Sequence, residues 1–247
     1  FYLHPKQTAI RPMQLGGNVF GWTLNESQSF AILNQFENCG YQFIDTADSY
    51  SRWAPNNVGG ESERIIGKWM RERNNRMNMV IATKVGSDMG QGICLKAEYI
   101  IKSCENSLRR LQTDYIDLYY THFDDTSTPV EETLKAYDKL YREGKICTLG
   151  ASNISPERLK ESLTFSAQNG LIRYSALQPH YNLLERTYFE KELLPIVQSY
   201  NLLVFPYYAL ASGFLTGKYK DQTDLTQSPR GAAVARYYTP ENFALLA

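Results

Sequence analysis

Charge of either sign is in no excess: 26 Lys and Arg offset 26 Asp and Glu across 247 residues. A chain so balanced exerts no net pull on nucleic acid or on an anionic membrane. Histidines number three (His4, His122 and His180), too few and too far apart for a zinc cluster. The four cysteines, Cys39, Cys94, Cys104 and Cys147, form no Cys-x-x-Cys pair. A chain this long buries a real core without disulfide staples. Reduced thiols are therefore expected, and with no signal-peptide pattern at the start the expected location is cytoplasmic. Long hydrophobic runs are missing too. The stretch 202–211, interrupted by Pro206, is far too short to cross a bilayer. No Gly-x-Gly-x-x-Gly follows the first strand, so a dinucleotide-binding Rossmann unit lacks its fingerprint. No Pro/Gly/Ser-rich linker splits the chain, and 1–247 reads as a single domain.

What is present is an alternation. Short apolar runs at 13–16, 41–46, 79–84, 116–121, 147–151, 174–178 and 202–206 read as strands. They show no clean period of two, as befits strands covered on both faces of a parallel sheet. Between them lie amphipathic stretches with readable ends. Asn25 to Gln28 forms a capping box before Phe30, Leu33 and Phe36, and Gly40 stops that helix. A helix fits 61–70, and Ile100, Ile101, Cys104, Leu108 and Leu111 make another apolar stripe. Thr128 reads as a cap with Pro129 in the first helical position and Gly144 as the stop. Ser155-Pro156 repeats the device and ends at Gly170. A helix over 186–200 carries Pro195, which predicts a kink or a split. Strand then helix at intervals of roughly thirty residues predicts an α/β fold of the (β/α)8 TIM-barrel type. Seven strands are countable, and only a helix start at Thr239-Pro240 follows them. The eighth βα unit is expected to lie outside this sequence, because seven strands would leave two long edges.

In such barrels reactive groups sit just past the C-terminal ends of the strands. Those positions hold Asp45 and Tyr50, Lys84, His122, Ser152 and Asn153, Gln178 and Tyr207. The four titratable groups make a proton-transfer set. A tyrosine with a pKa near ~10 is a poor acid at neutral pH, and a nearby Lys84 ammonium would favour its phenolate. Asp45 would hold Lys84 charged and oriented. A neutral His122 would donate to a carbonyl oxygen while hydride reaches the carbonyl carbon. No protein nucleophile and no metal is needed.

The segments LGGNVFGW, FIDTADSY, ESERIIGKWM, IATKVG, YIDLYYTHFDD, LGASNIS, LQPHYNLLER and YYALASGFLTGKY, in this order, resemble the aldo-keto reductase family in its non-classical branches. The resemblance covers nearly the whole chain. It implies an enzyme reducing aldehydes or ketones, with Asp45, Tyr50, Lys84 and His122 as a catalytic tetrad and Tyr50 as proton donor. It implies NADP(H) bound without a Rossmann domain. Asp45, Ser152, Asn153 and Gln178 would border the nicotinamide, the last three holding its carboxamide. Tyr207 would lie against the ring. Tyr208, Ala209, Leu210, Ala211, Ser212 and Gly213, with Lys218, resemble the segment that folds over the pyrophosphate, and Arg230 matches a cofactor-contacting arginine. The family's grip on the 2′-phosphate lies in an eighth strand and turn absent here. A preference for NADPH over NADH is therefore an expectation by analogy. The partner is a small-molecule carbonyl compound, with neither nucleic acid nor membrane.

Plainer readings stand beside these. Asp45 fits a strand-end cap, His122 a satisfied core histidine, and Ser152 and Asn153 a loop before the Ser155 cap. Lys218 and Arg230 fit solvated charges, and His180 reads as structural. Trp22 and Trp53 either shape the substrate mouth or pack beneath it. Two rival functions remain: a cofactor-sensing regulatory barrel, which some branches of the family use, and a metal-dependent hydrolase, for which only His122 and Asp45 qualify as ligands.

Overall fold

The computed structural model describes residues 11–227 and 229–246. Seven strands are found among them: β1 (Gln14–Gly16), β2 (Phe43–Asp45), β3 (Val80–Val85), β4 (Ile116–Thr121), β5 (Ile146–Ser152), β6 (Tyr174–Gln178) and β7 (Leu203–Val204). They follow one another in chain order in the sheet, and β1 to β5 pair in parallel. Helices alternate with them: α1 (Glu26–Asn38), α2 (Glu61–Arg73), α3 (Ala97–Leu111), α4 (Val130–Arg142), α5 (Pro156–Asn169) and α6 (Leu194–Tyr200). Sequential parallel strands with intervening helices are the architecture of the (β/α)8 barrel class. Short helices α7 (Gly231–Val234) and α8 (Pro240–Ala244) follow β7. The contacts divide the chain after Ala176 into two compact units.

In the first unit β3 and β4 are buried along their whole length, which is why no period of two marks them. Ile44, Ile81, Leu118 and Leu149 are fully buried. The helix ends follow the sequence closely in places. Asn25 and Gln28 exchange both capping-box bonds. Ser155 accepts from Arg158 N, with Pro156 opening α5 and Gly170 in the left-handed conformation behind it.

Three boundaries differ from the sequence reading. β2 is three residues long rather than six, although Val80 N donates to Gln42 O and Thr46 N to Ala82 O, so its ladder runs one step beyond each end. β7 is shortened at Pro206, which has no N–H to donate. The pairing still continues, with Phe205 N bonding Leu177 O and Tyr207 N bonding Pro179 O. Thr128 is not a helix cap. Its hydroxyl donates to Asp125 at 2.6 Å, and α4 starts at Val130 with no side-chain cap. The expected break at Pro195 is real: a π turn (Phe189–Leu193) precedes α6. A proline cannot return a bond to the preceding turn, and a widened turn absorbs the loss. All four cysteines are free.

Helices α2 and α3 meet at a glycine. A Cβ at Gly67 would stand 2.3 Å from the Arg110 carbonyl oxygen and 2.6 Å from the Leu111 carbonyl carbon. In an exposed helix Gly→Ala stabilises by about 1 kcal/mol. Here the clash is with backbone, and Gly67→Ala is expected to destabilise by on the order of 2 kcal/mol, measurable as a lower midpoint in urea.

Candidate active site

β2 delivers Asp45 at its last position and then runs into the loop that carries Tyr50. In the parallel register Asp45 faces Ala82, and Lys84 lies two residues further along β3 on the same face. The lysine side chain is fully buried, and its three N–H bonds have three acceptors. Its Nζ donates to Asp45 Oδ2 at 2.7 Å, to Thr46 O at 2.7 Å and to Tyr50 OH at 2.9 Å. The Tyr50 hydroxyl donates in turn to Asp45 Oδ2 at 3.1 Å. Burial pushes the Lys84 pKa down, and the Asp45 carboxylate opposes that shift. A buried ammonium persists only with such a partner.

His122 follows β4, where its N–H bonds Val85 O at 2.7 Å. Its ring lies 6.0 Å from the Tyr50 ring and is backed by Phe123, stacked at 4.8 Å. Its Nδ1 is buried without a hydrogen-bond partner. Burial first, and the Lys84 charge second, hold its pKa well below the usual imidazole value, so the ring is neutral at neutral pH. Trp53 is half exposed and meets Tyr50 edge-on at 6.1 Å, with Trp22 edge-on to Trp53 at 5.6 Å. The two tryptophans thus stand beside the Tyr50 ring.

The ESER segment that opens α2 holds these strand ends in place. Ser62 Oγ donates to Gly17 O and accepts from Thr46 Oγ1, both at 2.8 Å. Glu63 is fully buried between Thr83 Oγ1 at 2.6 Å and Arg110 Nε at 2.5 Å. One neighbour escapes the sequence reading. Asp48, between Asp45 and Tyr50, is 5% exposed, and its Oδ1 has no hydrogen-bond partner. Burial, and then the Glu63 charge, push its pKa up to about 8, against the pull of Arg110 and Lys84. Its only sequence signal is an acidic residue in a polar loop, which is the same whether the carboxyl faces water or protein.

Ser152 ends β5 and is buried. Asn153 follows in the left-handed conformation, its Nδ2 bonding His122 O at 2.8 Å and Ser152 Oγ at 3.0 Å. Asn153 thus lies in the loop that the plainer reading expected, whereas Ser152 is the last residue of the strand.

In the second unit Gln178 is buried at the end of β6, and Tyr207 is half-buried just past β7. Tyr208, Ala209 and Leu210 are exposed, whereas Ala211 and Ser212 are buried. The backbone here is unusual: Tyr208, Ala211 and Ser212 have φ of 54°, 48° and 58°, and Gly213 has 106°. Within the turn Ala211 N donates to Tyr208 O at 2.7 Å and Gly213 N to Leu210 O at 2.8 Å. A Cβ at Gly213 would stand 3.3 Å from Lys218 Cε and 3.5 Å from its Nζ. A cation thus lies against a turn that only glycine leaves open, which fits an anionic group such as a pyrophosphate. Arg230 is half-buried at the start of α7. Among the described residues no group of His, Cys, Asp and Glu could hold a metal ion, and no helix is long and apolar enough to cross a membrane.

Comparison with known proteins agrees with this architecture. The family profile described as "Aldo/keto reductase family" matches residues 12–245. Aldo-keto reductase YhdN of Bacillus subtilis is 36% identical over 211 residues, covering 84% of this chain and 59% of the relative. Aflatoxin B1 aldehyde reductase member 2 of Mus musculus is 36% identical over 224 residues, 90% of this chain and 58% of the relative. A probable voltage-gated potassium channel subunit beta of Oryza sativa is 33% identical, covering 81% and 60%. The chain thus spans about three fifths of the length of these curated relatives. The solved glycerol dehydrogenase of Gluconobacter oxydans superposes with a TM-score of 0.79 at 30% identity, over 97% of this chain and 72% of that one. The profile match and these identities over most of its length show that the chain belongs to the aldo-keto reductase family.

Proposed function

We propose that this chain carries the catalytic part of an NADP(H)-dependent oxidoreductase that reduces aldehyde or ketone carbonyls to alcohols. The observation that carries the reading is the buried Lys84 ammonium, bonded at once to Asp45 and to the Tyr50 hydroxyl. A bound nicotinamide supplies hydride to the carbonyl carbon. The chain's part is to bring a proton to the carbonyl oxygen. Tyr50 OH turns from Asp45 toward that oxygen and gives up its proton, while Lys84 stabilises the phenolate left behind. Asp45 keeps the ammonium charged and fixed. His122, neutral and held by Phe123, has one ring N–H to orient the carbonyl and no second proton to compete with the phenol. Solvent then returns a proton to Tyr50.

In the first unit Ser152 and Asn153 would hold the carboxamide, and Asp45 borders the same ring. In the second, Gln178 is a further candidate for the carboxamide, Tyr207 for the nicotinamide ring, and Tyr208 to Gly213 with Lys218 and Arg230 for the phosphates. Lys218, set against the turn at Gly213, supports that last assignment, because its charge suits an anion.

The test is consumption of NADPH with a panel of aldehydes and ketones, measured alongside cofactor affinity by fluorescence. Turnover of at least one carbonyl compound is expected. Tight cofactor binding with no turnover across the panel would overturn the enzymatic reading in favour of a regulatory barrel; the Oryza sativa relative is named a probable voltage-gated potassium channel subunit beta.

A further inference from the structure

The second unit holds a pair of stacked rings, and the function proposed above uses only one of them. His180 lies two residues beyond Gln178, and its backbone bridges in parallel to Tyr207. Tyr207 N donates to Pro179 O at 2.9 Å. That bridge sets the two side chains next to each other, and the rings stack with centroids 5.1 Å apart and planes 13° from parallel. Tyr208 closes on the imidazole edge-on at 5.7 Å and on Tyr207 at 5.1 Å. A phenol flanked in this way has lost its freedom to tilt.

The imidazole also has polar neighbours at Nε2. Two donors, Arg236 Nη2 at 3.4 Å and Asn182 Nδ2 at 3.5 Å, face His180 Nε2, and the Tyr237 hydroxyl lies 3.5 Å from it. The guanidinium cannot accept a hydrogen bond. The Asn182 amide is oriented by its oxygen, which accepts from Leu184 N at 2.9 Å and Glu185 N at 3.1 Å, and its Nδ2 donates to Tyr208 O at 3.0 Å while turning its NH2 side to the imidazole. Nε2 is therefore the acceptor side of a neutral imidazole. The charged and titratable groups around it are Arg236, Glu185 (which pairs with Arg236 at 3.0 Å) and the phenols of Tyr207, Tyr208 and Tyr237. Burial lowers the His180 pKa; Glu185 opposes that shift and Arg236 adds to it.

We propose that His180 is a positioning residue for the nicotinamide: its neutral ring, anchored through Nε2 and stacked on Tyr207, holds the surface on which the cofactor packs, and protonation at Nε2 sets it against Arg236 and loosens that surface. The inference rests on Tyr207 meeting the nicotinamide, as proposed above.

The experiment compares NADPH affinity, by fluorescence and by the ligand-induced rise in Tm, for the parent chain, His180→Ala and His180→Phe between about pH 5 and pH 8. His180→Ala removes the stack and is expected to weaken binding about threefold to tenfold at neutral pH. His180→Phe restores a flat ring and is expected to recover most of that loss. It carries no titrating nitrogen, so the parent should lose affinity on the acid side more steeply than this variant. The ligand's own phosphates titrate alike in both. An Ala variant that binds as tightly as the parent, whatever its unliganded Tm, overturns the role, as does a Phe variant with the same acid-side loss. Failure of the parent to bind NADPH at all overturns the assignment of Tyr207 itself, and this inference with it.

Discussion

Tyr50→Phe is expected to lower turnover by about two to four orders of magnitude while leaving cofactor affinity and fold nearly unchanged. The reasoning starts from what phenylalanine keeps. Its ring fills the same space, 6.1 Å from Trp53 and 6.0 Å from His122, and still lies under the Lys84 ammonium, 4.5 Å from the ring centre. Lys84 retains Asp45 and Thr46 O as acceptors, so no buried charge is left without a partner. The stability cost is therefore that of the two hydrogen bonds the hydroxyl makes, from Lys84 Nζ and to Asp45 Oδ2, about 1 kcal/mol or somewhat more for each. What is lost is the O–H. No other group near it is ready to replace it as a proton source: His122 is neutral, and the Lys84 ammonium is already engaged by Asp45. Steady-state kinetics with a carbonyl substrate, beside cofactor titration and a urea melt, would measure all three quantities. Turnover within about threefold of the parent would remove Tyr50 from the role of donor.

The same four residues show what a one-dimensional reading reaches. Lys84 stands out because lysine has no business in a packed strand unless something pairs with it, and Asp45 supplies that partner at the end of the adjacent strand. Parallel pairing of consecutive strands then makes their meeting a matter of register, and β2 and β3 meet as expected. The ESER segment is legible only as the start of a helix. That Ser62 and Glu63 brace Thr46 and Thr83 depends on how α2 packs, which no local pattern encodes. Thr128 misleads for a related reason. A threonine before a proline suits a cap, but the helix starts one residue later, with Pro129 in the cap position, and the Thr128 hydroxyl instead donates to the charged Asp125 carboxylate. The Asp125 carboxylate, in spite of its burial, is held at a pKa of about 2 by bonds from Ser127, Thr128 and the Leu95 N–H. His180 reads as a plain structural residue, and its stacking on Tyr207 is invisible until the strand ends are brought side by side. Glycine shows the same limit: Gly67 looks like any small helical residue until the backbone of α3 is laid across it.

Asp48→Asn is expected to stabilise the fold, and increasingly so as the pH rises. The parent's carboxyl is buried without a cation of its own, since Arg110 is bound by Glu63 and Lys84 by Asp45. Its pKa is about 8 in the folded chain, against ~3.9 when exposed in the unfolded one. Between those values the folded state holds a proton that the unfolded state has released. Stability therefore falls as pH climbs through that window and levels off above it. A displacement of this size corresponds to on the order of 5 kcal/mol, and any water drawn in by the charge would reduce it. Asparagine has nearly the same shape and no charge to bury at any pH, so the variant escapes the decline. Its amide does need partners in a place where Oδ1 has none, a cost of about 1–3 kcal/mol. The protonated acid has a donor of its own to satisfy there and bears a similar cost. The alkaline gain should therefore exceed the loss. Urea unfolding of parent and variant at a mildly acidic and a mildly alkaline pH measures the effect: the variant's advantage should grow by several kcal/mol between them. An advantage that stays constant with pH would show that Asp48 is ionised in the folded protein, and that the charge between Asp45 and Tyr50 has been found a partner by some rearrangement of Arg110 or Lys84.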